Sequence, residues 1–394
     1  MSNPFFYYAS VGASLSTYAV DFATAELRRT ASITLSASVQ YIWPHPRRPI
    51  IYATLSNGGP GLIKGTHHVA VALSVDRDSG ALTELGPPIA LPTRPIHCTV
   101  DHHGHYLLIA YNHPSTVTVH RLGGDGTLGE TIAQSTLDAG IFAHQVRMLP
   151  SNRTALVVAR GNDATDTQPE DPGALKVFDF AAGVLSSRTT VAPGDGYGFG
   201  PRHLDIHPNG KWLYVSIERQ DELHHFEIGP NDDIATAPRA VVSSLESPDR
   251  RQGPQMASAV HVHPNGRFVY QANRTEGRRT LDDGWMVAHR GENNVVVHQL
   301  DADTGEPHPI QHIDVPSIHP RTFSIDPTGQ LLAVSTIQPV PRESDSGVVL
   351  VPAAISLYRV GGDGRLSLAR SYQVDTQGDL LFWSGFIAPS HSAV

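Results

Sequence analysis

A short apolar strand recurs seven times along the 394 residues of this chain, and each time a second strand of different character follows it. The first series occupies residues 5–12, 49–56, 105–112, 154–160, 211–218, 267–274 and 330–337. Five of these seven segments follow a turn of one design: His45-Pro46-Arg47-Arg48, Asp101-His102-His103-Gly104, His207-Pro208-Asn209-Gly210, His263-Pro264-Asn265-Gly266 and Asp326-Pro327-Thr328-Gly329. Proline presets such a turn and glycine or asparagine accepts its positive φ, so a hairpin bend is expected there. The second series, at 16–22, 69–76, 116–122, 174–180, 222–228, 294–300 and 354–360, alternates apolar and polar side chains as half-buried strands do.

A further strand precedes the turns, at 97–100, 202–206 and 321–325, and another follows bends such as Gly123-Gly124-Asp125-Gly126 and Gly361-Gly362-Asp363-Gly364. Four strands per unit, antiparallel through hairpins and repeated seven times, describe an all-β, seven-bladed β-propeller. Each blade of a propeller packs only on its neighbours, so one domain over 1–394 can exceed the size of an ordinary single core. The period is interrupted by insertions near 57–68, 161–173 and 275–293. The chain opens on a second strand whose first strand is missing, and 380–387 (LLFWSGFI) is an apolar strand without a partner. The C-terminal strand is therefore expected to pair with the N-terminal one and close the ring, which removes exposed sheet edges.

Composition narrows the class. The first thirty residues lack a basic start with an apolar core and carry Asp21 and Glu26, unlike a secretory signal. No run of eighteen apolar residues could form a spanning helix. The one cysteine, Cys98, cannot form an internal disulfide, and a formal charge of −9 argues against nucleic acid or anionic membrane as partner. A soluble cytoplasmic protein is expected; its oligomeric state is not legible.

Register carries the functional signal. The residues six places before each turn proline, or before His102 in its place, are Gln40, Ile96, His144, Arg202, Ser258 and Arg321. Sixteen residues on, across the hairpin, stand Ser56, Asn112, Arg160, Glu218, Arg274 and Ile337. These twelve should face one another across the ladders of the two innermost strands and ring one mouth of the central channel, and ten of them are polar. A confined ring holding Arg202, Arg274 and Arg321 beside His144 and Glu218 suits a small anion, because arginine pairs with carboxylate or phosphate through two parallel hydrogen bonds. An Arg202–Glu218 cross-strand pair alone would be structural, but three arginines against one glutamate leave positive charge for a ligand to balance. Arg160 is expected to pair with Asp163 or Asp179 outside the ring.

The other histidines read as turn and strand residues. No HExxH helix or paired Cys/His knuckle occurs, so neither metal nor cofactor is expected. The glycine-rich 57–65 stretch lacks the GK[ST] ending of a phosphate loop and is a surface insertion.

The run 200–218 (GPRHLDIHPNGKWLYVSIE), with Ala143-His144-Gln145 before it and 263–274 (HPNGRFVYQANR) after it, resembles the lactonase family of seven-bladed propellers. That family includes bacterial 6-phosphogluconolactonases and fungal enzymes that lactonise 3-carboxy-cis,cis-muconate. The site proposed for the muconate-lactonising members is a His, two Arg and a Glu, which fall by motif on His144, Arg202, Arg274 and Glu218. The resemblance implies catalysis by these four, with Arg321, Gln145, His203, Ser258, Asn112 and Arg160 as substrate-binding candidates. The expected activity is metal-independent hydrolysis of a sugar-acid lactone, the partner being a small anionic lactone or sugar acid. The alternatives are a muconate-type lactonising cycloisomerase and a non-catalytic binding propeller. Glu218 or His144 could take the proton of the attacking water. Second strands run toward the ring, so the three insertions should crowd its mouth. The longest, with Arg278, Arg279, Asp282, Asp283, Trp285, His289 and Arg290, is expected to close over the ligand as a partial lid.

Overall fold

The computed structural model describes residues 5–61, 63–248 and 253–388. Seven sheets of at least four antiparallel strands follow one another along the chain. We number them as blades 1 to 7. Blade 1 combines Phe6–Val11, Ser14–Asp21 and Glu26–Thr34 with the C-terminal strand Leu381–Ile387. Blades 2 to 7 begin with the innermost strands Ser38–Pro44, Pro95–Val100, Ala143–Met148, Pro201–Ile206, Gln255–Val262 and Pro320–Ile325. The expected ring closure is present: Phe6 pairs with Ile387 and Ala9 with Ser384. The Ser10 hydroxyl bridges the backbone of Trp383, accepting from its N–H at 3.2 Å and donating to its carbonyl at 3.1 Å.

Apolar faces of neighbouring blades form the cores. Leu156, Val158, Leu175 and Val177 of blade 4 pack on Leu204, Leu213, Val215 and Phe226 of blade 5. Tyr270, Val295 and Val297 of blade 6 meet Phe323, Leu332, Val334 and Tyr358 of blade 7 in the same way.

The turn histidines do more than bond locally. The His207 Nδ1 accepts the Asn209 N–H at 3.1 Å, which leaves the proton on Nε2, and this donates to the Gly266 carbonyl in the next blade's turn at 2.7 Å. His263 repeats the link to Gly329 at 3.0 Å. Gly266 has φ +70°, and a Cβ there would lie 2.8 Å from His207 Nε2, so both conformation and space demand glycine. A second set of staples runs from the second strands. The hydroxyls of Tyr8, Tyr52, Tyr214 and Tyr270 donate to the carbonyls of Gly80, Gly126, Gly305 and Gly364, each in the following blade.

The connection 275–293 carries a hairpin, Arg278–Thr280 with Met286–Ala288, and blade 7 carries another at the corresponding place, Val340–Ser344 with Gly347–Val351. The second hairpin was not anticipated from sequence.

Candidate functional site

The innermost strands are broken at one recurring place. In blades 2, 3, 4, 5 and 7 the ladder to the second strand skips one residue, and the skipped residues are Gln40, Ile96, His144, Arg202 and Arg321. A regular strand aims alternate side chains at the two flanking blades, whereas the extra residue of a bulge lies outside that alternation and its side chain is redirected. All five of these side chains line one axial cavity of about 350 Å³. The sequence reading expected the same residues to sit in register opposite their partners sixteen places on. They do not: Pro201 pairs with Ile217, and the Glu218 N–H donates to the Gly200 carbonyl at 2.7 Å.

From the second strands Asn112, Arg160, Glu218 and Arg274 reach the same cavity. Glu218, 2 % exposed, is the hub. Its Oε1 lies 2.9 Å from Arg202 Nε and 2.5 Å from Arg274 Nη2, and its Oε2 accepts from Arg160 Nη1 at 3.0 Å. Arg160 is thus bound inside the ring, while Asp163 and Asp179 pair with Arg219 and Arg188. Burial acts to raise the Glu218 pKa, but Arg274, Arg202 and Arg160 outweigh it and hold the carboxyl well below the usual range. A carboxylate so held is a fixed charge and a weak base.

His144 is buried, with its Nδ1 unpartnered among the described residues, and its ring stands 5.0 Å from that of His203. Burial and then the Arg202 charge hold it well below the ordinary imidazole range, so it is neutral at neutral pH. Arg202 Nη1 donates to His203 Nδ1 at 3.2 Å, since a guanidinium cannot accept. His203 lines the cavity as expected.

Two candidates lie elsewhere. The Gln145 Oε1 accepts the Leu204 N–H at 2.7 Å, because the residue after the bulge returns to the alternation that faces blade 5. In blade 6 the ladder skips two residues, Ser258 and Ala259, and the Ser258 hydroxyl turns onto the carbonyls of Ala272 and Pro320. Met256 lines the cavity in its place. Ser56 and Ile337 are likewise absent from the lining; Ser56 bonds His68 Nδ1 at 2.8 Å.

Sequence reasoning missed Arg94 and Phe382. Arg94 immediately precedes the blade 3 strand, and its Nε donates to Gln40 Oε1 at 2.8 Å. Phe382 and Trp383 stand opposite Ser10 in the irregular stretch of the closing strand, and both line the cavity. The Phe382 ring carries the guanidinium carbons of Arg321 at 4.4 Å and Arg94 at 5.7 Å.

The three insertions do reach the mouth, through Pro60 and Gly61, Asn162, and Glu276. The expected lid differs. Of 275–293 only Glu276 lines the cavity; Arg279 and Arg290 instead bind Glu343 of the blade 7 hairpin. The two hairpins therefore brace each other, each supplying charge that the other neutralises. Among the described residues no three His, Cys, Asp or Glu side chains gather as a metal-ligand set.

The family model for lactonases with a seven-bladed β-propeller matches residues 6–348. The chain belongs to this family. A relative from Bacillus subtilis named 6-phosphogluconolactonase is 26 % identical over 327 residues, covering 80 % of this chain and 84 % of the relative. One of the same name from Klebsiella pneumoniae is 31 % identical over 56 % of this chain and 63 % of its own. The solved structure of a Pseudomonas aeruginosa periplasmic gluconolactonase superposes with a TM-score of 0.70 at 18 % identity, over 95 % of this chain and 98 % of that one, a likeness of fold. No helix among the described residues is long and apolar enough to cross a membrane.

Proposed function

We propose that this family member is a metal-independent lactonase that hydrolyses a sugar-acid lactone held in its arginine-rich cavity. Relatives named 6-phosphogluconolactonase support the substrate class. The observation that carries the reading is a neutral His144 facing the same small cavity as a guanidinium cluster fixed by Glu218. Water attacks the lactone carbonyl as His144 takes its proton, and the tetrahedral oxyanion forms beside Arg202 and Arg274. The ring C–O bond then breaks, and the protonated His144 returns the proton to the departing alkoxide. Glu218 is a positioning residue here. It holds Arg202 Nε and Arg274 Nη2 at its carboxylate, beside the cavity that both arginines line.

The decisive experiment assays the purified protein, after dialysis against a chelator, on a panel of aldonolactones and on cis,cis-muconates. Lactone turnover is expected, with His144→Ala lowering kcat by about 100- to 10,000-fold. Because His144 must be neutral to act and burial lowers its pKa from 6.5, kcat should stay level around neutrality and fall only in more acid solution. Muconate closure without lactone hydrolysis would assign the cycloisomerase reaction instead, and silence across both panels a binding role.

A further inference from the structure

The cavity has a second cationic region that Glu218 does not neutralise. Arg94 and Arg321 both line it, and both stand over the ring of Phe382. Neither has a carboxylate partner among the described residues. Arg94 is 9 % exposed and, among the described residues, its one hydrogen bond goes to the neutral amide of Gln40, while Arg321 has none. Burial and then Arg202, Arg274 and Arg94 disfavour the Arg321 charge. Five arginines against the carboxylates of Glu218 and Glu276 leave the lining three positive charges in excess, and Arg94 and Arg321 account for two of them. Buried cations without a counter-charge are costly, and the cost is removed when a ligand brings the anion.

We propose that Arg94 and Arg321 form the subsite for a phosphomonoester on the substrate, with Phe382 as the platform that fixes both guanidinium groups and Gln40 orienting Arg94. The proposal deepens the lactonase reading above and rests on it for the rest of the substrate. A phosphomonoester carries close to two negative charges at neutral pH and three strongly accepting oxygens. It therefore matches two guanidinium groups in charge and offers more acceptors than one carboxylate, which a single arginine satisfies. The division of labour follows: the Glu218-bound arginines and His144 serve the lactone end, and Arg94 and Arg321 the phosphorylated end. Neither residue then touches the reacting carbonyl, and both act through binding.

The test uses Arg94→Gln and Arg321→Met, which remove the positive charge and keep a flexible side-chain stem, on the full chain. Kinetics with 6-phosphogluconolactone and with gluconolactone are measured beside calorimetric titration of 6-phosphogluconate and gluconate. Each variant should raise KM for the phosphorylated lactone by about tenfold to 100-fold, the worth of a charge-assisted contact, and leave KM for the other nearly unchanged. The titrations should show the same loss for 6-phosphogluconate alone. If the wild type turns over neither lactone but binds 6-phosphogluconate through these arginines, the subsite stands and the hydrolytic reading falls. If lactone is hydrolysed and both variants keep the wild-type preference for the phosphorylated form, the subsite is wrong. Equal weakening toward gluconate and 6-phosphogluconate would make it a carboxylate site and overturn the phosphate assignment.

Discussion

The two arcs of the cavity wall solve the problem of buried positive charge in opposite ways. On the arc from blade 4 to blade 6, Arg160, Arg202 and Arg274 converge on Glu218, so each guanidinium is held in place before any ligand arrives. On the arc from blade 7 round to blade 3, Arg321 and Arg94 rest on an aromatic face and an amide, with donors left over. The first arrangement gives geometry at the expense of available donors; the second keeps donors available and leaves the apo protein with unrelieved repulsion. In the function proposed above, chemistry that needs fixed positions falls to the first, and capture of a mobile anion to the second.

The contrast breaks most visibly when one residue from each arc is removed. Glu218→Ala should destabilise the fold by about 3–5 kcal/mol, because three guanidinium groups lose their counter-charge. Arg321→Met should be neutral or slightly stabilising, since it replaces a half-buried cation that has no carboxylate partner among the described residues with apolar volume. Chemical denaturation of the two variants checks both signs, and a large loss for Arg321→Met would erase the distinction. A double-mutant cycle sharpens it. Arg202→Met with Glu218→Gln should show coupling of about 0.5–3 kcal/mol, and Arg94→Gln with Glu218→Gln about zero.

Acid provides a smaller probe of the same wall. His144 and His203 of the lining, with His97 and His319 outside it, are all held well below the usual imidazole range, chiefly by burial, and the unfolded chain binds protons that the fold excludes. A depressed pKa contributes stability that is full above the unfolded value of 6.5 and is lost as pH falls below it. The unfolding temperature should therefore decline progressively between pH 7 and pH 5, and a flat profile would show that these rings take up protons in the fold as readily as in the unfolded chain. Glu218 adds its own loss at more acid pH, beginning as pH falls through its unfolded value of 4.5.

What sequence revealed and what it hid divide along physical lines. His144, Arg202, Glu218 and Arg274 were legible because each lies at a constant offset from a turn, and a constant offset survives even where the ladder is irregular. The irregularity itself was not legible, so Ser258 was placed in a ring from which blade 6's two-residue skip excludes it, and Gln145 was taken for a substrate contact although the return of alternation after the bulge turns it onto Leu204. Arg94 has no counterpart at the same place in other blades, and periodicity cannot flag a singular residue. Phe382 lies on a strand that was recognised, but no turn precedes that strand from which to count. The tyrosine staples join residues 72 to 94 positions apart, too far for local pattern to reveal.

The aromatic platform beneath Arg94 and Arg321 comes from the last of the described strands, threaded back beside the first. A ribosome that stopped at residue 380 would release nearly every titratable group of the site without the surface that unites its two unpaired cations. Maturation of the cup is thereby tied to synthesis of that strand: no nascent chain short of it presents the surface on which Phe382 carries Arg94 and Arg321.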